Sequence, residues 1–321
     1  MEIIHNREFK KLLKFNGDHS TLVGLRILNN VLKVITLGLY YPWARASVLQ
    51  YMYGEAEYLE TRFVFHGTGK EMFRGFIKAL AIFLVLYGFL FFCIFTKQPM
   101  MAVVGGIVFY IGILLLVPLA IHGSQRYRLS RTSWRGIHFG YRGDLKEFVK
   151  LFIGHGLLSM LTLGIYGPWF RVKMKEYIYG NMRFGNIEFK FTGKGGDLFL
   201  IRLKGIFLSI ITLGIYSFWF LKELVEFELK NIKIIQDGVE INMRSTLSAG
   251  KIFGMVFVNY LIVIFTLGLA TGVAINRIMR VAFENIEFDL PINPDKLMQT
   301  EDEYKDATGD DLAGMLDIDF A

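Results

Sequence analysis

Internal disulfides are excluded from the start, because the 321 residues contain a single cysteine, Cys93, set inside an apolar run. The same scarcity removes cysteine-based metal sites. The histidines are His5, His19, His66, His122, His138 and His155. No pair has zinc-type spacing and no H-E-x-x-H occurs. A nucleophile elbow and a paired-carboxylate site are also missing. "GKGGD" (193–197) has glycines and a lysine but not the spacing of a nucleotide loop, so it reads as a turn and helix start. No catalytic residue, metal ligand or cofactor is therefore expected, and the chain does not read as an enzyme. No basic face on a soluble module appears, so nucleic acid is not an expected partner. The opening "MEIIHNREFKKLLKFNGDHS" lacks the apolar core and small-residue site of a secretory signal, and residues 1–19 read as an aqueous segment.

Apolar residues are present in excess. They make up 53% of the chain and collect in runs such as "FLVLYGFLFFCIF" (83–95) and "VVGGIVFYIGILLLVPLAI" (103–121). A span needs roughly 20 mostly apolar residues to cross about 30 Å of hydrocarbon. These runs qualify, and a membrane protein is expected. The net charge is +7 although the end of the chain, "TEDEYKDATGDDLAGMLDIDF", is acidic. Residues 291–321 read as a disordered acidic tail. The basic remainder suits anionic lipid headgroups.

An octet recurs. "TLGLYYPW" (36–43), "TLGIYGPW" (162–169) and "TLGIYSFW" (212–219) share Thr36, Thr162 and Thr212, then Gly38, Gly164 and Gly214, then Tyr40, Tyr166 and Tyr216. Each closes on Trp43, Trp169 or Trp219, and two carry Pro42 or Pro168. "TLGLATGV" (266–273) is a fourth, degenerate copy. Upstream stand aromatic-x-Gly triplets: "FNG" (15–17), "FHG" (65–67), "YRG" (141–143) and "FTG" (191–193). Downstream come basic, aromatic-bearing stretches and then short alternating ones such as "IEFKFTG", the period of a half-buried strand. Proline cannot continue a helix interior, and Tyr and Trp favour the headgroup layer. Each octet thus reads as the end of a membrane helix bending into an interfacial one. Arg45, Arg171, Lys173 and Lys222 follow as headgroup-facing charges. The expected fold is an α-helical polytopic membrane protein with residues 20–290 as its membrane domain. It is built from tandem units of apolar helix, TLGxYxPW bend and basic interfacial helix, with short β-strands between. The units fall at about 15–60, 65–130, 141–185, 191–238 and 245–290.

In combination, "TLGIYGPW", "TSWRGIHFGYRG" (132–143) and the strand–glycine starts resemble the YjgN-type bacterial inner-membrane proteins, which carry a named domain of unknown function. The resemblance covers about residues 10–290. It implies a multi-pass protein of the bacterial inner, or plasma, membrane and supplies no catalytic or binding residues. The last unit departs from the pattern, having no tryptophan.

Six apolar segments are candidates for crossing: 20–40, 76–95, 100–121, 151–166, 205–221 and 252–275. If all cross, the basic residues between them divide evenly and the positive-inside rule decides nothing. Inverted repeats would explain this. Re-entrant units with every strand on one side would explain it too, because isolated short strands must pair. In the first segment Arg26, Asn30 and Lys33 share a helical face; Arg202, near the start of the 205–221 segment, and His155, the histidine within 151–166, are the further candidates. That face could line a cavity or a bundle contact. The leading expectation is a channel or transporter for a small solute. A membrane-organising or lipid-binding scaffold is the alternative, and a lipid-active enzyme a third. Lipids with anionic headgroups and further copies of the chain are the expected partners.

Overall fold

The computed structural model describes residues 8–300. The element order reads strand, helix, helix, strand five times. The first run is β1 (Leu13–Phe15), α1 (His19–Ile35), α2 (Tyr41–Glu55) and β2 (Ala56–Tyr58). The second is β3 (Thr61–Phe65), α3 (Gly69–Phe95), α4 (Pro99–Ser130) and β4 (Thr132–Trp134). The third is β5 (Ile137–Tyr141), α5 (Leu145–Leu161), α6 (Gly167–Gly180) and β6 (Met182–Phe184). The fourth is β7 (Ile187–Phe191), α7 (Gly195–Ile211), α8 (Ser217–Asn231) and β8 (Ile232–Gln236). The fifth is β9 (Val239–Ser245), α9 (Ala249–Phe265), α10 (Thr271–Glu284) and β10 (Ile286–Phe288).

The strands pair in sequence order, each antiparallel to the next. Lys10 exchanges two backbone hydrogen bonds with Phe288, at 2.8 and 2.9 Å, which brings the first and last strands together and nearly closes a small barrel. Consecutive strand pairs within the sheet are joined by two-residue turns with left-handed backbone: Leu59–Glu60, Arg135–Gly136 and Asp237–Gly238, with Gly185 opening the remaining one. Such primed turns match the twist of antiparallel strands. The inside is filled by Tyr58, Trp134, Phe184, Ile187, Ile241 and Phe288.

This topology fixes sidedness. In an antiparallel sheet the C-terminal ends of odd strands and the N-terminal ends of even strands lie on one edge. All five helical hairpins leave from that edge and return to it; the tight turns occupy the other. Successive helices pack on one another, and α1 packs on α10, so the helices also form a ring. At the closure the α10 backbone meets α1 so tightly that a Cβ on Gly272 would sit 2.9 Å from the Val23 nitrogen. Asn276 donates to the Asp18 carbonyl (2.6 Å) and Arg280 to that of Gly17 (3.1 Å).

The expected α-helical polytopic fold is thereby corrected. Strands do not merely separate membrane units; they assemble into one near-closed ten-stranded sheet that carries every hairpin. Six alternating crossings would put β6 and β7 on the opposite side of a membrane from β5 and β8, with which they pair. Among the described residues, only α3 and α4 are both long and apolar enough to span. The other candidate segments mislead for a definite reason. Residues 20–40, 151–166, 205–221 and 252–275 each run through a hairpin tip, where the turn and adjoining helix ends are apolar together, and hydropathy alone does not separate such a tip from a span. The octet is likewise a reversal, since α2, α6, α8 and α10 return antiparallel along α1, α5, α7 and α9 instead of lying along a membrane surface. Asn29 reaches the Ala44 carbonyl (3.4 Å) and Asn259 that of Ala274 (3.3 Å) across two of these hairpins.

The aromatic-x-Gly triplets have a packing cause. The ring two residues ahead folds over the glycine: a Cβ at Gly67 would lie 2.5 Å from Phe65, and at Gly193 2.6 Å from Phe191. After β10, residues 290–297 pack back on the sheet through Leu290, Ile292 and Leu297. Ile292 is buried, its N–H donates to the Tyr58 hydroxyl (2.9 Å), and Asn293 and Gln236 exchange two hydrogen bonds of 2.8 Å. This differs from a tail disordered from residue 291; the acidic stretch 301–321 lies outside the described residues.

Candidate functional site: a basic chamber inside the helix ring

Two adjoining cavities share Arg26, Arg45 and Val48. The smaller, about 150 Å³, lies between α1 and α2 and is lined by Asn29, Asn30 and Lys33 as well. The larger, about 510 Å³, is walled by α1, α2, α4 and α10, with Leu13, Phe63 and Ile286 of the sheet at its floor. These helices are not all neighbours in the ring, so the chamber lies on its inner side. Its volume is within the usual range for a small-molecule site. Leu49, Met52, Met279 and Phe283 give it apolar walls, and Arg26, Arg45 and Arg128 give it charge. Among the described residues no acidic side chain lines either cavity. The Nε of Arg26 is buried without a hydrogen-bond partner. An orphaned charged donor is costly unless a ligand or water satisfies it.

The expected polar face therefore splits. Arg26, Asn30 and Lys33 do come together, and Arg45 joins them from α2. Arg202 and His155 lie elsewhere. Arg202 is near Arg171, and burial followed by that like charge pushes its guanidinium below the usual range. His155 accepts or donates a 3.0 Å hydrogen bond with the Tyr166 hydroxyl and stacks on the same ring.

The charges expected to face headgroups have protein partners in several cases. Arg171 donates to Glu228 Oε1 (3.3 Å), whose other oxygen takes the Lys175 ammonium at 2.5 Å. Lys175 is buried, and desolvation holds it below the usual lysine range against the opposing pull of Glu228. Lys173 pairs with Glu176 (2.8 Å) and Lys222 with Glu226 (2.9 Å) along their own helices. Trp43 and Trp169 pack against the starts of the following hairpins: a Cβ at Gly69 or Gly195 would meet them at 2.4 and 2.3 Å. Trp219 is exposed and stacks on Tyr216. Sequence reasoning missed Arg128 and Lys175. Arg128 ends a long apolar helix and reads as a plain interfacial charge, and Lys175 pairs with a residue 53 positions away. Among the described residues no three His, Cys, Asp or Glu side chains gather to hold a metal.

In the four TLG hairpins the turn itself is one repeated device. Thr36 Oγ1 donates to the Leu32 carbonyl (2.7 Å) and accepts from the Tyr40 N–H (3.0 Å). Thr162, Thr212 and Thr266 make the same two bonds. The residue after each threonine is a leucine in left-handed backbone, followed by a glycine with φ between 83° and 90°.

Comparison with known proteins places the chain. A model of the family described as "Bacterial protein of unknown function (DUF898)" matches residues 10–192, 186–222 and 226–315. The chain is 29% identical over 134 residues to inner membrane protein YjgN of Escherichia coli (strain K12), covering 42% of this chain and 32% of that protein. It is 26% identical over 172 residues to inner membrane protein YjgN of Salmonella typhimurium, covering 50% and 42%. The matches thus span less than half the length of these relatives. No solved structure matches. Its relatives' shared name supports an inner-membrane location, and the chain belongs to the DUF898 family of bacterial proteins of unknown function.

Proposed function

We propose that this protein binds an anionic amphiphile, a molecule with a phosphate or carboxylate head and an apolar chain, in the chamber of its helix ring. The observation that carries the reading is the unpartnered buried Nε of Arg26, on a cavity it shares with Arg45 and Arg128 and with apolar walls. Each charge-assisted hydrogen bond to such a head contributes about 1.5–3 kcal/mol, or roughly 10–100-fold in affinity. The test is binding of dodecyl phosphate, dodecanol and inorganic phosphate to the purified full-length protein in neutral detergent. Dodecyl phosphate should bind tightest, and Arg26→Gln or Arg45→Gln should weaken it by about tenfold or more. Equal binding of dodecanol, or no effect of either variant, would sink the reading.

Conduction or transport of a small anion is the second reading, favoured by the 150 Å³ polar pocket around Asn30 and Lys33. Inorganic phosphate binding as tightly as dodecyl phosphate would select it. A bound anion would then have to pass the packed interior of the sheet, so this reading requires that plug to move.

The same proposal takes the chain as five repeated hairpin units, of which one, α3–α4, crosses the inner membrane and returns. These helices have 27 and 32 residues, about 40 and 48 Å at 1.5 Å per residue. Their joining turn, Thr96–Lys97–Gln98, is polar. With Cys93 replaced by serine, Lys97→Cys should react with an impermeant thiol reagent on the side opposite Glu188→Cys, which lies on the exposed face of β7. Reaction of both from one side would remove the crossing.

A further inference from the structure

The other four hairpins end differently, and their ends carry a second inference. Leu37, Leu163, Leu213 and Leu267 are 93%, 93%, 94% and 92% exposed. Each is in left-handed backbone, with φ of 50° or 51°. At an exposed left-handed position in water, glycine or asparagine is the favoured residue. A leucine there four times over, flanked by Leu39, Ile165, Ile215 and Leu269, also exposed, is matched to a non-aqueous surrounding.

The backbone is built for the same surrounding. Hydrocarbon offers no partner to a free N–H, so a turn at membrane depth must satisfy its own donors. Every N–H from the threonine through the fifth residue after it is bonded within the hairpin, at 36–41, 162–167, 212–217 and 266–271. The threonine hydroxyl supplies the acceptor for one donor that would otherwise be left over, and Pro42 and Pro168 come next in two of the turns, with no donor at all. By contrast the α3–α4 turn presents Lys97 and Gln98, both exposed.

The first helices of these four hairpins have 17 residues, about 25 Å, short of the roughly 20 residues a span requires. Arg26 and Arg202 lie ten residues before their threonines, and ten residues of helix measure about 15 Å, half the hydrocarbon thickness. A tip near the bilayer midplane therefore leaves these charges at headgroup depth. All five hairpins leave one edge of the sheet, so the four tips enter from a single face.

We infer that the TLG turns are membrane anchors. Leu37, Leu163, Leu213 and Leu267 insert into the acyl chains of one leaflet and stop inside the bilayer, as four half-depth hairpins beside one that crosses. The inference uses the inner-membrane location and is independent of what the chamber binds.

The test uses the full-length Cys93→Ser protein in its native membrane, with single cysteines at Leu37, Leu163, Leu213 or Leu267. Tip cysteines should resist an impermeant maleimide from both faces, because a thiol among acyl chains stays protonated, and should react with it once the membrane is dissolved in denaturing detergent. Glu188→Cys and Lys97→Cys serve as the two aqueous controls. A nitroxide at each tip should be relaxed more by oxygen than by a water-soluble nickel chelate. Labelling of the tips with Lys97→Cys would mean full crossings and overturn the inference. Labelling with Glu188→Cys would mean tips in water and overturn it equally. Arg45→Gln, which should weaken amphiphile binding, should leave tip labelling unchanged, so the two proposals fail separately.

Discussion

Glu228→Gln should lower the unfolding midpoint of the purified protein by on the order of 10 °C, followed by intrinsic tryptophan fluorescence. One carboxylate on α8 compensates two cations on α6, Arg171 and the buried Lys175. Lys175 lies over the Phe191 ring, 5.8 Å from its centroid, away from solvent. Removing one partner of a buried pair leaves the other charge uncompensated and costs about 3–5 kcal/mol. The pH dependence has a definite sign. Lys175 already titrates below its ordinary 10.5 because burial outweighs Glu228. Without the carboxylate its folded-state pKa falls further. The unfolded chain then binds more protons than the folded one over a wider window below 10.5, so the stability of the variant rises with pH there more than that of the parent. Lys175→Met added to Glu228→Gln should recover most of the loss, since no buried ammonium remains. A loss below about 1 kcal/mol, the range of an exposed pair, would mean that water reaches the network.

This ion network also marks what a linear reading could reach. The octets are legible because each is local. Pro42, Pro168 and the glycine–leucine turn sit within eight residues, and a helix end with a change of direction follows from their backbone preferences. The direction taken afterwards is not local. Whether α2 lies on a membrane surface or returns along α1 depends on contacts such as Asn29 with Ala44 and Trp43 with Gly69, in which a glycine stands where any side chain would collide. The strands were visible as alternation in "IEFKFTG". Their pairing partners could be read from the two-residue turns, above all Asp237–Gly238, a strong hairpin signal between alternating runs. Treated as separators between membrane units, the same strands gave an alternating topology, and an even division of Lys and Arg offered nothing against it. The near-closure of the sheet rests on Lys10 meeting Phe288, close to the two ends of the described chain, and no window of sequence contains both. The chamber was half legible. Arg26, Asn30 and Lys33 share a helical face by spacing alone, whereas Arg45 and Arg128 reach it only through the ring.

Trp134→Ala should be the most damaging single substitution in the sheet. The indole is buried at the centre of the barrel, edge-on to Tyr58 (5.5 Å) and Phe184 (6.0 Å), and its Nε1 donates to the Thr61 carbonyl at 3.0 Å. Truncating a buried tryptophan costs about 3–5 kcal/mol through lost transfer energy and the cavity left behind. Trp134→Phe keeps most of the ring and forfeits the hydrogen bond, for about 1–2 kcal/mol. The distribution of the loss distinguishes two kinds of molecule. If the sheet is one cooperative plug, its ten strands open together, because each pairs on both sides and the first and last are joined at Lys10 and Phe288. Hydrogen exchange in Trp134→Ala should then quicken in β9 and β10 as much as in β3, β4 and β5. Faster exchange confined to β3–β5 would mean that each hairpin is held by its own pair of strands and that the near-closure is incidental. The outcome bears on the chamber as well. A cooperative plug floors the binding chamber and holds the bases of all five hairpins at one level, so loosening it should raise amphiphile release without opening an anion conductance across vesicles. A conductance that appears in Trp134→Ala and not in the parent would show the sheet to be the gate of a channel and displace the closed-chamber reading.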